Sequence, residues 1–269
     1  MPRIALGIEY DGTTFAGWQT QTHARGIQPS VESAVAHVAD HAVEVTAAGR
    51  TDAGVHAAIQ VVHFDTPSVR TERSWVLGSN SNLPKQVTVL WAREVPDTFH
   101  ARYSATARSY RYFILNRQVR PALGAGNITW VREPLEQKPM HEAAQQLVGE
   151  HDFSSFRAAE CQSRTPMRRL TSIAVHRHAQ MLVIDVTANA FLHHMVRNIA
   201  GALIAVGSGD RPVHWVGEVL AARDRRAGGI TAPPNGLYLT GIDYDPALGL
   251  PSHAGEILGL ACPVRPDQV

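Results

Sequence analysis

The chain has 269 residues, 44% of them hydrophobic and 18% charged, with a formal net charge of +1. That length buries a real core, as one large or two small domains, and the composition excludes a disordered or fibrous chain. No apolar run approaches a membrane span, residues 3–10 enter a strand pattern with no signal-peptide layout, and Cys161 and Cys262 form no CxxC unit, so a cytoplasmic protein with free thiols is expected.

Residues 3–10 read as a strand. A helix follows, with Pro29 at its start and Val31, Ala34, Val35 and Val38 at helical spacing. Strands at 43–47 and 59–64, a helix at 72–79 between Pro67 and Pro84, and a strand at 87–94 complete the first half. The second half repeats the order. It has a strand at 110–116 and a helix at 138–147, then strands at 170–176 and 182–188 joined across Ala179-Gln180. A helix at 191–206, a further helix at 215–222 and a strand at 237–244 close it. Each half is β-α-β-β-α-β, the split-βαβ arrangement. The expected fold class is therefore α+β, with two RNA-recognition-like halves at 1–105 and 106–269 whose mixed or antiparallel sheets flank a central cleft, a usual place for a binding site. Residues 117–134 and 152–167 are long insertions, and such loops more often carry function than not.

Charge is unevenly spread. All but two of the 25 basic residues are Arg, the exceptions being Lys85 and Lys138. Between Asp97 and Glu133 there is no acid, yet Arg102, Arg108, Arg111, Arg117, Arg120 and Arg132 occur. Between Glu160 and Asp185 the same holds for Arg164, Arg168, Arg169 and Arg177. Such stripes line a polyanion groove or lie solvated on a surface, and the pattern leaves both readings open.

Residues 49–57 read Gly49-Arg50-Thr51-Asp52-Ala53-Gly54-Val55-His56-Ala57. One acid sits beside an arginine, between two glycines that permit a tight turn. An adjacent guanidinium favours the charged form of a carboxylate, and a held carboxylate can act as a nucleophile. Spacing alone equally allows an ordinary hairpin turn.

This nonapeptide resembles the catalytic motif of the tRNA pseudouridine synthase A family. Tyr10-Asp11-Gly12, Phe15, Gly17, Trp18 and Gln19 resemble its N-terminal strand and loop. Phe99-His100-Ala101-Arg102 and Arg108-Ser109-Tyr110-Arg111-Tyr112 are similar to its central segments. Residues 191–198, Phe-Leu-His-His-Met-Val-Arg-Asn, and Gly236-Leu237-Tyr238-Leu239 are similar to its later ones. The matches are collinear over most of the chain. The resemblance implies an isomerase that flips uridines at positions 38, 39 and 40 of the tRNA anticodon stem-loop and converts them to pseudouridine, with Asp52 essential. It implies support from Arg197 paired to Asp52, from Tyr110 in the pocket, from Arg50 at the RNA backbone or the flipped base's place, and from Leu237 closing the pocket. It also implies a homodimer.

Tyr110 could stack on a base or accept a proton, while on pattern alone it is equally a core aromatic, with Tyr112 on the same strand face. Arg197 falls nearly opposite the apolar stripe of Phe191, Met195, Ile199, Ala202 and Val206. Arg102, Arg111, Arg164, Arg168 and His193 are the candidate RNA contacts. His193-His194 invites a metal reading, but adjacent helical positions diverge by about 100°, so no metal is expected. No phosphate loop is present and an isomerisation consumes nothing, so no cofactor is expected. Two rival readings are weaker. A non-catalytic RNA-binding protein would show the aromatic pattern of RNA-recognition domains, and a glycosidase would need a second carboxylate. The helix at 215–222 and residues 257–262 are candidate dimer surfaces.

Overall fold

The computed structural model describes residues 1–20 and 24–251. The candidate dimer segment at 257–262, with Cys262, lies outside the described residues. The first half contains β1 (Arg3–Tyr10), α1 (Ile27–Ala39), β2 (Thr46–Ala47), β3 (His56–Asp65), α2 (Glu72–Asn82) and β4 (Val87–Val95). The second contains β5 (Ala107–Asn116), β6 (Thr129–Val131), α3 (Gln137–Gln145), β7 (Gly149–Asp152), β8 (Met167–His178), β9 (Met181–Ala188), α4 (Met195–Gly207), α5 (Trp215–Ala222) and β10 (Leu237–Asp243).

The α+β class and the doubled element order both appear. The strands run β4-β1-β3-β10-β5-β9-β8-β7, with β2 paired to β3 and β6 to β5. Within each half the order is that of a split βαβ: β4-β1-β3-β2, then β10-β5-β9-β8. The two half-sheets do not stand apart; they join edge to edge. The expected strand at 43–47 shrinks to two residues, Thr46 and Ala47, which cover only His63 and Val62 of β3. The start of β3 is left open, and β10 pairs there in parallel, Tyr238 with His56 and Leu239 with Ala57. An uncovered strand edge carries unpaired backbone donors and acceptors, and β10 satisfies them.

Two large cores pack against this sheet. In α1, Ile27, Val31, Ala34 and Val35 are buried at helical spacing and meet Leu6, Ile8, Trp18, Val62 and Phe64. In the second half Met140, Ala143, Ala144, Met195, Ile199 and Leu203 pack on Tyr112, Ile184 and Val186. Burying one such aliphatic side chain contributes about 1.5–3 kcal/mol, so a charge at Val31 or Ile199 would undo its half. The helix at Trp215–Ala222 lies where expected, but its Val216 and Val219 are buried and Trp215 and Leu220 pack on the core. It presents no continuous free apolar face. Among the described residues no helix is long and apolar enough to cross a membrane.

Candidate active site

Asp52 sits on the loop from β2 to β3. The loop is stitched down by backbone bonds, with Ala48 N–H donating to Val61 O, Trp18 N–H to Thr51 O, Gly54 N–H to Phe15 O and Val55 N–H to Asp52 O. The Tyr10 hydroxyl and Thr51 Oγ1 lie 2.8 Å apart in the core below. Residues 11–19 thus form the cradle of this loop. Gly17, at φ +99, presses so closely that a Cβ would stand 2.7 Å from Thr51 O. Gly54 turns the chain at φ +76, as expected of it, whereas Gly49 is not among the glycines of positive φ.

The other half supplies Asp52 with partners. Arg197, in the first turn of α4, brings Nη1 to 3.4 Å from Asp52 Oδ2, with the two side chains 14% and 22% exposed. Its Nε donates to Ala232 O at 2.9 Å, and its own carbonyl accepts from Ala232 N–H. The guanidinium is therefore aimed from two sides. His193 Nε2 lies 3.2 Å from Asp52 Oδ1, and His194 Nε2 lies 3.4 Å from Oδ2.

Sequence reasoning missed this convergence because it began the helix at Phe191. The helix begins at Met195, and His194 takes a left-handed φ of 60°. The two imidazoles consequently stand with centroids 4.1 Å apart rather than diverging around a helix. The 152–167 insertion holds the turn, as Ala158 N–H donates to His193 O and His193 N–H to Cys161 Sγ. His193 thus meets the carboxylate itself. Burial pushes the His194 imidazole below its ordinary range, against the pull of Asp52.

The ligand atoms of Asp52, His193 and His194 lie within 4.8 Å of one another, a group that could hold a metal ion. The argument that adjacent helical histidines diverge does not apply to this turn. Arg197 stands at the same carboxylate oxygen, and its fixed charge opposes a cation there.

Tyr110 and Tyr112 share a face of β5, and the structure separates them. Tyr112 is fully buried, its hydroxyl donating to Pro233 O and meeting Thr129 Oγ1. Tyr110 is half-buried, edge-on to Phe191 with centroids 5.0 Å apart. Burial raises its hydroxyl well above the ordinary phenol range, and the charges of Tyr10 and Asp52 add to this. It stays a neutral phenol at physiological pH. Leu237 is buried opposite Tyr112, and Leu239 pairs with both Tyr110 and Ala57. Arg50 is exposed on the Asp52 loop.

The candidate RNA-contacting arginines divide. Arg102 and Arg164 are exposed. Arg111 alternates with Tyr110 and Tyr112, so it leaves the opposite sheet face, where it pairs with Asp185 at 2.6 Å. Arg168 spends its guanidinium on Thr165 O, Met167 O and Ser163 Oγ. Arg111 and Arg168 brace their own half and do not stand free for phosphate.

A single carboxylate on a loop of one half, faced by Arg197, His193 and His194 of the other, is the arrangement expected of an enzyme that works between two repeats. Comparison with known proteins narrows that class. A family model described as tRNA pseudouridine synthase matches residues 7–104 and 143–245, and the chain belongs to this family of isomerases. The matched segments hold Asp52, His193, His194, Arg197 and Leu237 but not Tyr110. A protein named tRNA pseudouridine synthase A from Methylococcus capsulatus is 60% identical over 248 residues, covering 92% of each chain. Its namesake from Coxiella burnetii is 56% identical, over 93% of this chain and 96% of the relative. That from Nitrosococcus oceani is 55% identical over the same shares. A solved Cbf5-Nop10-Gar1 complex aligns at TM-score 0.35 and 10% identity, covering 87% of this chain and 57% of that one, a likeness too slight to argue from.

Proposed function

We propose that the protein converts uridine to pseudouridine in the anticodon stem-loop of tRNA, at positions 38, 39 and 40, with Asp52 as the essential carboxylate. The observation that carries the reading is the convergence of Arg197, His193 and His194 on both oxygens of Asp52. The reaction breaks the bond from C1′ to N1, turns the uracil, joins C5 to C1′ and releases the C5 proton while N1 gains one. Atoms balance and nothing is oxidised, so no co-substrate is needed.

The base must leave the helix stack to reach a carboxylate on a loop between two domain halves. Asp52 acts on the sugar or the base. Arg197 donates to it at 3.4 Å and the two imidazoles lie beside it, so that its charge stays aimed. Tyr110 and Phe191 form an aromatic wall that retains the loose uracil, and a neutral phenol there stacks or donates rather than serving as a phenolate base. Leu237 closes the floor, and Arg50 meets the RNA backbone. Arg102 and Arg164, exposed and basic, belong to the polyanion path. A homodimer, implied by the family resemblance, is part of this reading, and equilibrium sedimentation tests it.

The main experiment incubates the protein with unmodified tRNA transcripts and maps pseudouridine at every position, with Asp52→Asn as control. Product confined to positions 38–40 supports the site. Product elsewhere moves it, and product from the Asn variant removes Asp52 from its role.

A further inference from the structure

Beside the stems of the active site, but outside it, lies an exposed ring stack. Tyr103 is 76% exposed. Its ring stands over His100 with centroids 4.3 Å apart at 34°. His100 in turn meets the buried His63 at 4.8 Å, and Phe99 lies edge-on beneath at 5.9 Å from His63. The Arg102 guanidinium carbon lies 5.7 Å from the Tyr103 ring centroid. One large aromatic is thus shown to solvent on a column of rings, with a cation at its side.

The loop is rigid by construction. His100 Nδ1 accepts from the backbone N–H of both Arg102 and Tyr103, and Ser104 Oγ accepts from His100 N–H. His100 therefore presents an acceptor at Nδ1, which needs the neutral ring with its proton on Nε2. Burial and nearby Arg3 hold both His63 and His100 below the ordinary imidazole range. Arg108 fixes the loop to the site. Its Nη2 donates to Arg102 O at 2.6 Å and to Ala48 O at 3.1 Å, and its Nη1 to Asn189 O at 3.0 Å. Ala48 precedes the Asp52 loop, and Asn189 precedes the His193 turn.

We propose that Tyr103, stacked on His100 and flanked by Arg102, is a platform for an unpaired nucleobase of the RNA substrate, separate from the pocket that holds the reacting uridine. This rests on the reading of the substrate as RNA. An isolated exposed tyrosine needs no explanation, but a ring set over an imidazole at a 34° tilt, beside a guanidinium, has the chemistry that single-stranded bases use. The pre-ordered loop loses little freedom on binding. Arg108 keeps the platform at a fixed offset from the carboxylate, so one stacked base would set the register in which the target base reaches Asp52.

The test measures the Kd of anticodon stem-loop RNA for the full-length protein and for Tyr103→Ala, Tyr103→Phe and Arg102→Gln. Losing one stacked base should weaken binding roughly 5- to 150-fold in Tyr103→Ala, while Tyr103→Phe stays within about twofold. The log–log salt slope should be unchanged in Tyr103→Ala, since no phosphate contact is lost, and lowered by about one unit in Arg102→Gln if that residue also meets phosphate. Tyr103→Ala binding as tightly as the parent overturns the platform, and so does equal weakening by Phe and Ala, which would assign the hydroxyl instead. Thermal unfolding of each variant checks the fold. Binding is read independently of pseudouridine formation, so the platform can fail while the proposed activity stands, and the reverse.

Discussion

The two regions that meet at Asp52 are built in opposite ways. The loop between β2 and β3 is held by its own half, through backbone bonds to Trp18, Phe15 and Val61 and a buried hydroxyl pair beneath. It places one carboxylate, with Arg50 exposed on the same loop. The turn before α4 is held by the 152–167 insertion and the first turn of α4 by Ala232, and together they bring two imidazoles and a guanidinium to that carboxylate. One region sets where the charge is and the other sets where it points. The groups that meet at Asp52 come from both halves, and the half-sheets that carry them are joined through β3 and β10.

The sharpest way to break this division is to remove the charge itself. Asp52→Asn keeps size and most hydrogen bonding, and turnover should fall on the order of 10⁴-fold or more while tRNA affinity stays within a few-fold. Single-turnover kinetics with a filter-binding Kd measure both. Next comes the aim. Arg197→Ala should cost about 10²- to 10³-fold in kcat, the range for one preorganised charged donor, and Arg197→Lys should recover only part because Lys lacks the planar fork. Near-normal turnover of Arg197→Ala would mean that the carboxylate needs no help from the other half.

The imidazoles should matter less. His193→Ala and His194→Ala should each lower kcat roughly tenfold, since each imidazole lies beside the carboxylate, with KM little changed. His→Gln should restore part of the loss, because an amide N–H can replace Nε2–H. A rise in KM alone would return His193 to a role in holding RNA.

A smaller effect separates the halves by pH. Burial, with Arg3 and His100 against it, pushes His63 down to about 4. In the unfolded chain it titrates near its ordinary value of about 6.5, so between the two values the unfolded state binds more protons. The stability it confers is full above the unfolded value and is lost as pH falls toward about 4, by up to roughly 3 kcal/mol. Urea unfolding at a series of pH values should show that decline, and His63→Gln should flatten it.

The smallest expected effect is that of chelation. Exhaustive EDTA treatment should leave turnover unchanged, since the isomerisation consumes nothing and Arg197 already stands as the cation at Oδ2. Loss of activity restored by Zn²⁺ would instead make Asp52, His193 and His194 a metal centre.

The chain by itself determined the doubled β-α-β-β-α-β order, the strand at Arg3–Tyr10, the helix at Trp215–Ala222, the loop with its lone acid, and the turn at Ala179, because periodicity and turn chemistry are local. The pairing of Arg197 with Asp52 was expected from the family resemblance, whereas helical spacing placed Arg197 only opposite an apolar stripe. Tertiary structure decided what local pattern cannot carry. The strand expected at 43–47 pairs with β3 only through Thr46 and Ala47, and β10 takes a place at the start of that same strand. The helix expected from Phe191 starts four residues later, after a turn in which the distant 152–167 insertion bonds His193 and His194 takes a positive φ. Arg111 and Arg168 looked like any other basic residue in their stripes until folding gave them Asp185 and the 163–167 carbonyls. An arginine's charge is written in the sequence. Whether that charge is already spent depends on which chain-distant group it meets, and only the folded structure shows that.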